Sequence, residues 1–88
     1  MATGKVKKVI DGDTLQLRNG KLYRLAGVNA PELGQRGGPK AREALRRITP
    51  PGATVGIGAK GKSYGRTVAQ VTRKGRSVND ALRRKGYK

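Results

Sequence analysis

Residues 5–28 read KVKKVIDGDTLQLRNGKLYRLAGV, and this stretch decides the fold. Lys5 to Ile10 is rich in β-branched residues, which suit the pleated strand conformation. Asp11-Gly12-Asp13 then supplies turn chemistry, because glycine enters a tight reversal without steric cost. Thr14 to Arg18 follows, with Leu15 and Leu17 on one face. Asn19-Gly20 is a strong hairpin signal, since both residues tolerate positive φ. Lys21 to Gly27 returns with Tyr23 and Leu25 sharing one face and Arg24 on the other. The pattern predicts a three-strand meander over residues 5–28.

Pro31 ends this run, and Leu33 to Gly38 (LGQRGG) is a glycine-rich loop. Pro39 suits the first turn of a helix, where its missing N–H is unpaired anyway. Ala41, Ala44, Leu45 and Ile48 recur at i, i+3, i+4, i+7 and predict an amphipathic helix over residues 39–48. Its outer face carries Lys40, Arg42, Arg46 and Arg47, a solvated face or a nonspecific phosphate contact. Thr49-Pro50-Pro51-Gly52 stops it. Ala53 to Ala59 alternates, with Val55 and Ile57 inward, and reads as a fourth strand. Lys60 to Gly65 reads as a loop, Arg66 to Thr72 as a fifth strand turned by Lys74-Gly75. Ser77 is an N-cap with Asp80 three residues on, and Val78, Ala81 and Leu82 give one face of a second short helix ending at Gly86. Arg83 to Lys88 reads as a basic tail. The order is β-β-β-α-β-β-α, mainly β with two short helices. Five short antiparallel strands with a helix after the third match a five-stranded Greek-key barrel of the OB type. Residues 1–88 are read as a single domain, since a chain this short has no room for a second core.

The composition sets the chemistry. Lys and Arg number 21 against 5 Asp and Glu, a formal net charge of +16. There is no His, Cys, Trp or Phe. A Ser–His–Asp triad, a cysteine nucleophile, a thiolate zinc site and any His-ligated metal are excluded. A basic excess of this size attracts polyanions, and nucleic acid is the first expected partner, because phosphate neutralisation releases counterions without regard to sequence. No apolar run approaches the ~20 residues that span a bilayer, and no amphipathic basic helix of useful length is present, so no membrane partner is expected. No signal peptide is visible at the N-terminus, and a cytoplasmic location is the default expectation.

Few acids in so basic a chain can be placed one by one. Glu43 precedes Arg46 and Arg47 by three and four residues, an ordinary helix ion pair. Asp80 is accounted for by capping. Asp11, Asp13 and Glu32 have no such task, though the first two are also consistent with plain turn residues and Glu32 with a surface carboxylate. In a meander, the turn before the second strand and the end of the third can share one rim. Asn29 adds an amide oxygen there, or else tolerates a left-handed backbone. Hard oxygen donors suit Ca²⁺, with Mg²⁺ or another divalent ion as the alternative. Arg24 and Arg66 would clamp a phosphodiester and stabilise charge developing on it, and Glu32 would orient or deprotonate a water. Metal-assisted phosphodiester hydrolysis uses these parts.

Four stretches resemble the staphylococcal nuclease (thermonuclease) family: Val9-Ile10-Asp11-Gly12-Asp13-Thr14; Arg24-Leu25-Ala26-Gly27-Val28-Asn29-Ala30-Pro31-Glu32; Tyr64-Gly65-Arg66 with Val68-Ala69; and Val78-Asn79-Asp80-Ala81-Leu82 with Gly86. They stand in the family's order across residues 6–86. The resemblance implies an OB-fold barrel and calcium-dependent cleavage of DNA and RNA. It implies metal ligation by Asp13, the Asn29 side chain and the Ala30 backbone carbonyl, a general-base position at Glu32, and phosphate binding by Arg24 and Arg66. Tyr64 matches a tyrosine near the bound nucleotide; Lys60 and Lys62, in the same basic loop, are counted with it as substrate-binding candidates.

The chain departs from the family at Asn29, where Asp is usual, and one negative charge is lost; weaker calcium binding is expected. Lys62 stands where Asp is common. The chain stops just past the second helix, where the family continues, so it resembles a C-terminally short member. A monomeric nuclease of low sequence specificity is the leading expectation. Its alternatives are a nucleic-acid-binding OB module with a decayed active site and a small basic structural component of a nucleoprotein.

Overall fold

The computed structural model describes residues 2–88, and for Ser63 the backbone alone. Strands β1 (Ala2–Asp11), β2 (Thr14–Leu17) and β3 (Leu22–Leu25) form the expected meander. Helix α1 (Gly38–Ile48) follows, then β4 (Thr54–Ser63), β5 (Arg66–Arg73), the two-residue β6 (Arg76–Ser77) and α2 (Val78–Arg84). Neighbouring strands run β3-β2-β1-β4-β5-β6. β3 also pairs with β5, in parallel, so the sheet closes on itself. The result is an OB-type barrel of five main strands with β6 added at its edge.

The turns form for the reasons their residues suggest. Gly12 and Asp13 join β1 to β2, where Asp11 faces Thr14 across the ladder. The Asp13 amide donates to Asp11 Oδ1 at 3.1 Å, a side-chain-to-backbone bond that takes the place of a ladder bond in the bend. Asn19 does the same for the next turn, accepting from the Lys21 amide at 2.9 Å.

The apolar faces meet inside the barrel. Val6, Leu15, Leu25, Val55 and Val71 are fully buried there. α1 seats Leu45 and Ala41 against this core, with Ala44 and Ile48 partly buried beside them. α2 contributes Val78 and Leu82. Each buried leucine stabilises the fold by roughly 1.5–3 kcal/mol relative to an exposed one. Asn79 is the polar exception. Its side chain accepts from the Val71 amide at 2.9 Å and donates to the Ala26 and Ala69 carbonyls at 2.8 and 3.1 Å, tying α2 to β5 and to the end of β3.

Two expectations are corrected. The segment from Lys60 is not a loop: β4 runs on to Ser63, with Lys62 opposite Thr67 and Ser63 opposite Arg66. Only Tyr64 and Gly65 turn, at φ 49 and 77. The arm has no apolar alternation because Lys60 to Lys62 are exposed, and backbone pairing with β5 carries the strand on past a bulge between Ala59 and Gly61. Nor is the C-terminal segment, read as a basic tail, without contacts to the barrel. Arg83 donates to the Gly27 carbonyl at 2.7 Å, and Tyr87 packs partly buried against the core.

Candidate active site

Strand register gathers the site. Thr14 on β2 stands opposite Arg24 on β3, and Arg24 stands opposite Val68 on β5. Arg66 opens β5 two residues earlier. The Asp11–Thr14 turn, β3 and the start of β5 therefore share one rim, although 52 residues separate Thr14 from Arg66.

Asp13 is the buried carboxylate of the rim, 9% exposed, beside the still more buried Thr14. Its Oδ1 accepts from the Thr14 hydroxyl at 3.0 Å. Its Oδ2 accepts from the Ala30 amide at 3.4 Å and lies 3.6 Å from Arg24 Nη2. Arg24 Nη2 also donates to the Asn29 side-chain oxygen at 2.9 Å and to the Val28 carbonyl at 3.0 Å. Arg66 Nη1 donates to the Thr14 hydroxyl at 3.0 Å. Arg66, Thr14 and Asp13 thus form a relay of two hydrogen bonds. Nothing in its spacing marks Thr14 as a site residue; its role follows from a contact between residues distant in sequence.

Asp11 backs the turn from the other side. Partial burial, foremost, pushes its carboxyl above the ordinary aspartate value, and neighbouring Asp13 adds to the rise, while the bond from the Asp13 amide works against it. Gly12 lies in a narrow gap: a Cβ there would come within 2.6 Å of Ala41 Cβ and 2.7 Å of Ala30 Cβ. The turn that presents Asp13 is pressed against α1, and only glycine permits that approach.

Glu32 stands apart from this network. Its backbone is held in a turn, its amide donating to Gln35 Oε1 at 3.0 Å and its carbonyl accepting from the Gln35 amide at 2.9 Å. Gly38, at the start of α1, lies so close to the Glu32 carbonyl that any side chain there would collide with it. The Glu32 carboxylate is exposed, and no hydrogen bond or ion pair joins it to another described residue.

Tyr64 projects from the tip of the β4–β5 hairpin, 96% exposed and in the left-handed region. Lys60 and Lys62 are exposed on the same arm. A non-glycine residue at such φ carries a strain of roughly 1 kcal/mol.

Among the described residues, no three His, Cys, Asp or Glu side chains gather. The converging oxygens belong instead to one carboxylate, one carboxamide and one backbone carbonyl. Asp13 Oδ2, Asn29 Oδ1 and Val28 O all face a single point, and a cationic nitrogen, Arg24 Nη2, sits at it. This donor set is of the hard-oxygen kind that suits Ca²⁺ or Mg²⁺.

Among the described residues, no helix is long and apolar enough to cross a membrane. No curated protein sequence matches the chain. The model of the staphylococcal nuclease homologue family matches residues 23–88. That span takes in Arg24, Asn29, Ala30, Glu32, Tyr64 and Arg66, while Asp11 to Thr14 lie before it. With most of its length matched and a closed OB-type barrel beneath the match, the chain belongs to the staphylococcal nuclease homologue family, whose domains are nuclease-like or nucleic-acid-binding modules.

Proposed function

We propose that this protein is a metal-dependent nuclease that hydrolyses phosphodiester bonds of DNA or RNA with little sequence preference. One observation carries the reading: two guanidiniums, Arg24 and Arg66, flank a nearly buried carboxylate, Asp13, on one rim of a strongly basic barrel. Family membership supports it. The net charge of +16 draws nucleic acid to the surface regardless of base sequence.

In this reading Arg24 and Arg66 grip the non-bridging oxygens of the scissile phosphate and stabilise the charge that builds there. Thr14 orients Arg66 and steadies Asp13 by the same hydroxyl. Glu32, whose carboxylate is free, orients a water and takes its proton. Asp13 and the Asn29 side chain, whose oxygens converge with the Val28 carbonyl, would hold a divalent ion, Ca²⁺ or Mg²⁺, together with the Ala30 carbonyl that the family resemblance adds. When bound, that ion adds charge stabilisation at the phosphate. Tyr64, Lys60 and Lys62 lie along the exposed arm that a nucleic-acid strand would follow, the tyrosine offering a stacking face.

A second reading rests on Glu32 and Asn29. A carboxylate outside the bonded network, and a neutral amide among the donors, are what a binding module with a lapsed hydrolytic site would show. Incubating plasmid and single-stranded DNA with Ca²⁺, Mg²⁺ or EDTA separates the two. Cleavage with a divalent ion that EDTA abolishes supports the nuclease; retention of DNA without cleavage under every ion supports the binding module.

A further inference from the structure

We propose that the Arg24 guanidinium is the resident cation of this site, and that a divalent ion enters only by displacing it. The inference rests on the reading of this rim as a metal-assisted site and names what controls access to it.

Three oxygens, two from the adjacent residues Val28 and Asn29 and one from Asp13, aim at one nitrogen. Asn29 Oδ1 and Val28 O lie 2.9 and 3.0 Å from Arg24 Nη2, and Asp13 Oδ2 lies 3.6 Å away. These are the directions from which a metal would draw its ligands, and the guanidinium already fills them. Arg24 Nη1 adds a bond to the Leu25 carbonyl at 3.4 Å, which fixes the plane of the group. The surroundings favour a cation there, since the Arg24 and Asp13 side chains are only 22% and 12% exposed and water screens the pair weakly.

Charge count points the same way. Among the three oxygens only that of Asp13 carries a charge, because position 29 is an amide. One guanidinium balances one carboxylate. A divalent ion added beside Arg24 would set a double positive charge within a few ångströms of a single one, with one carboxylate between them. The two cations therefore exclude each other. The metal takes the oxygens when Arg24 swings out, and the displaced guanidinium is then free to meet a phosphate.

Metal binding in the absence of nucleic acid tests this. Calorimetric titration with Ca²⁺ or Mn²⁺ alone should show weak binding to the wild-type protein. It should show binding on the order of tenfold tighter in Arg24→Gln, since each hydrogen bond the guanidinium would otherwise give up is worth about two- to tenfold. Arg66→Gln removes a nearby charge without emptying the oxygens and should change affinity by about twofold or less. No gain in Arg24→Gln, or an equal gain in Arg66→Gln, overturns the proposal. Should Arg24→Gln fail to fold, side-chain NMR of wild-type Arg24 decides. Its guanidinium protons should be slow to exchange in the free protein and fast once metal is added; an unchanged signal on metal binding overturns the proposal. These readouts do not involve cleavage. An inactive protein that shows the Arg24→Gln gain refutes the nuclease reading alone, and an active protein without the gain refutes the displacement alone.

Discussion

The Arg66 guanidinium reaches past β3 to the Thr14 hydroxyl at 3.0 Å, and that same hydroxyl donates to Asp13 at 3.0 Å. One oxygen therefore positions both the cation and the carboxylate of the rim. Thr14→Val keeps the shape and removes the oxygen. It is expected to lower stability by about 1–3 kcal/mol, because two bonds to charged groups are lost together, and to lower DNA cleavage more than DNA retention. Urea melts and cleavage assays on the same preparation check this; unchanged values in both would remove Thr14 from the account.

Asn79 is 1% exposed and satisfies three backbone groups. Asn79→Ala strands the Val71 amide and the Ala26 carbonyl, while the Ala69 carbonyl keeps its bond from the Ala26 amide. The expected loss is about 2 kcal/mol or more, because each stranded group costs about 1–3 kcal/mol. Chemical denaturation measures it directly, and a loss under about 1 kcal/mol would mean that water replaces the side chain.

Gly12 is confined by Ala41 and Ala30. Gly12→Ala should destabilise by about 1–3 kcal/mol through overpacking and should also weaken cleavage, because the methyl pushes the Asp13 turn away from α1. A variant of wild-type stability would show that the turn yields freely.

Asp11 has its carboxyl pKa raised, chiefly by burial. A group whose folded pKa lies above its unfolded one favours folding when protonated and loses that contribution as pH rises through the folded pKa. Asp11→Asn keeps the oxygen that accepts from Asp13 and removes the penalised charge. The variant should melt above wild type at about pH 7, and the two curves should converge near about pH 3. Thermal melts across that range test the sign; a gap that widens towards acid would reverse it.

The meander was legible because its turns carry Asp, Gly and Asn and its strands alternate. Leu15, Leu17, Tyr23 and Leu25 all face inward as that alternation requires. The extension of β4 was not legible, since Gly61 to Ser63 pairs through its backbone and Lys60 and Lys62 are exposed. Arg24 and Arg66 were candidates from sequence, but their shared rim depends on the parallel β3–β5 pairing, a long-range contact that no local pattern encodes. Thr14 and Asn79 stayed hidden for the same reason: their partners lie as many as 52 and 53 residues away. The guanidinium among the oxygens of Asp13, Val28 and Asn29 is likewise a property of the folded rim.

The most direct measurement is single-turnover cleavage of a labelled oligonucleotide, with protein in excess so that the basic surface saturates binding, by wild type and Arg66→Gln in the presence of Ca²⁺ or Mg²⁺. The account predicts that wild type cleaves and that Arg66→Gln cleaves about 10²-fold more slowly, the scale of losing one contact to transition-state charge. Equal rates for the two proteins, or no cleavage by wild type with either ion, would contradict it.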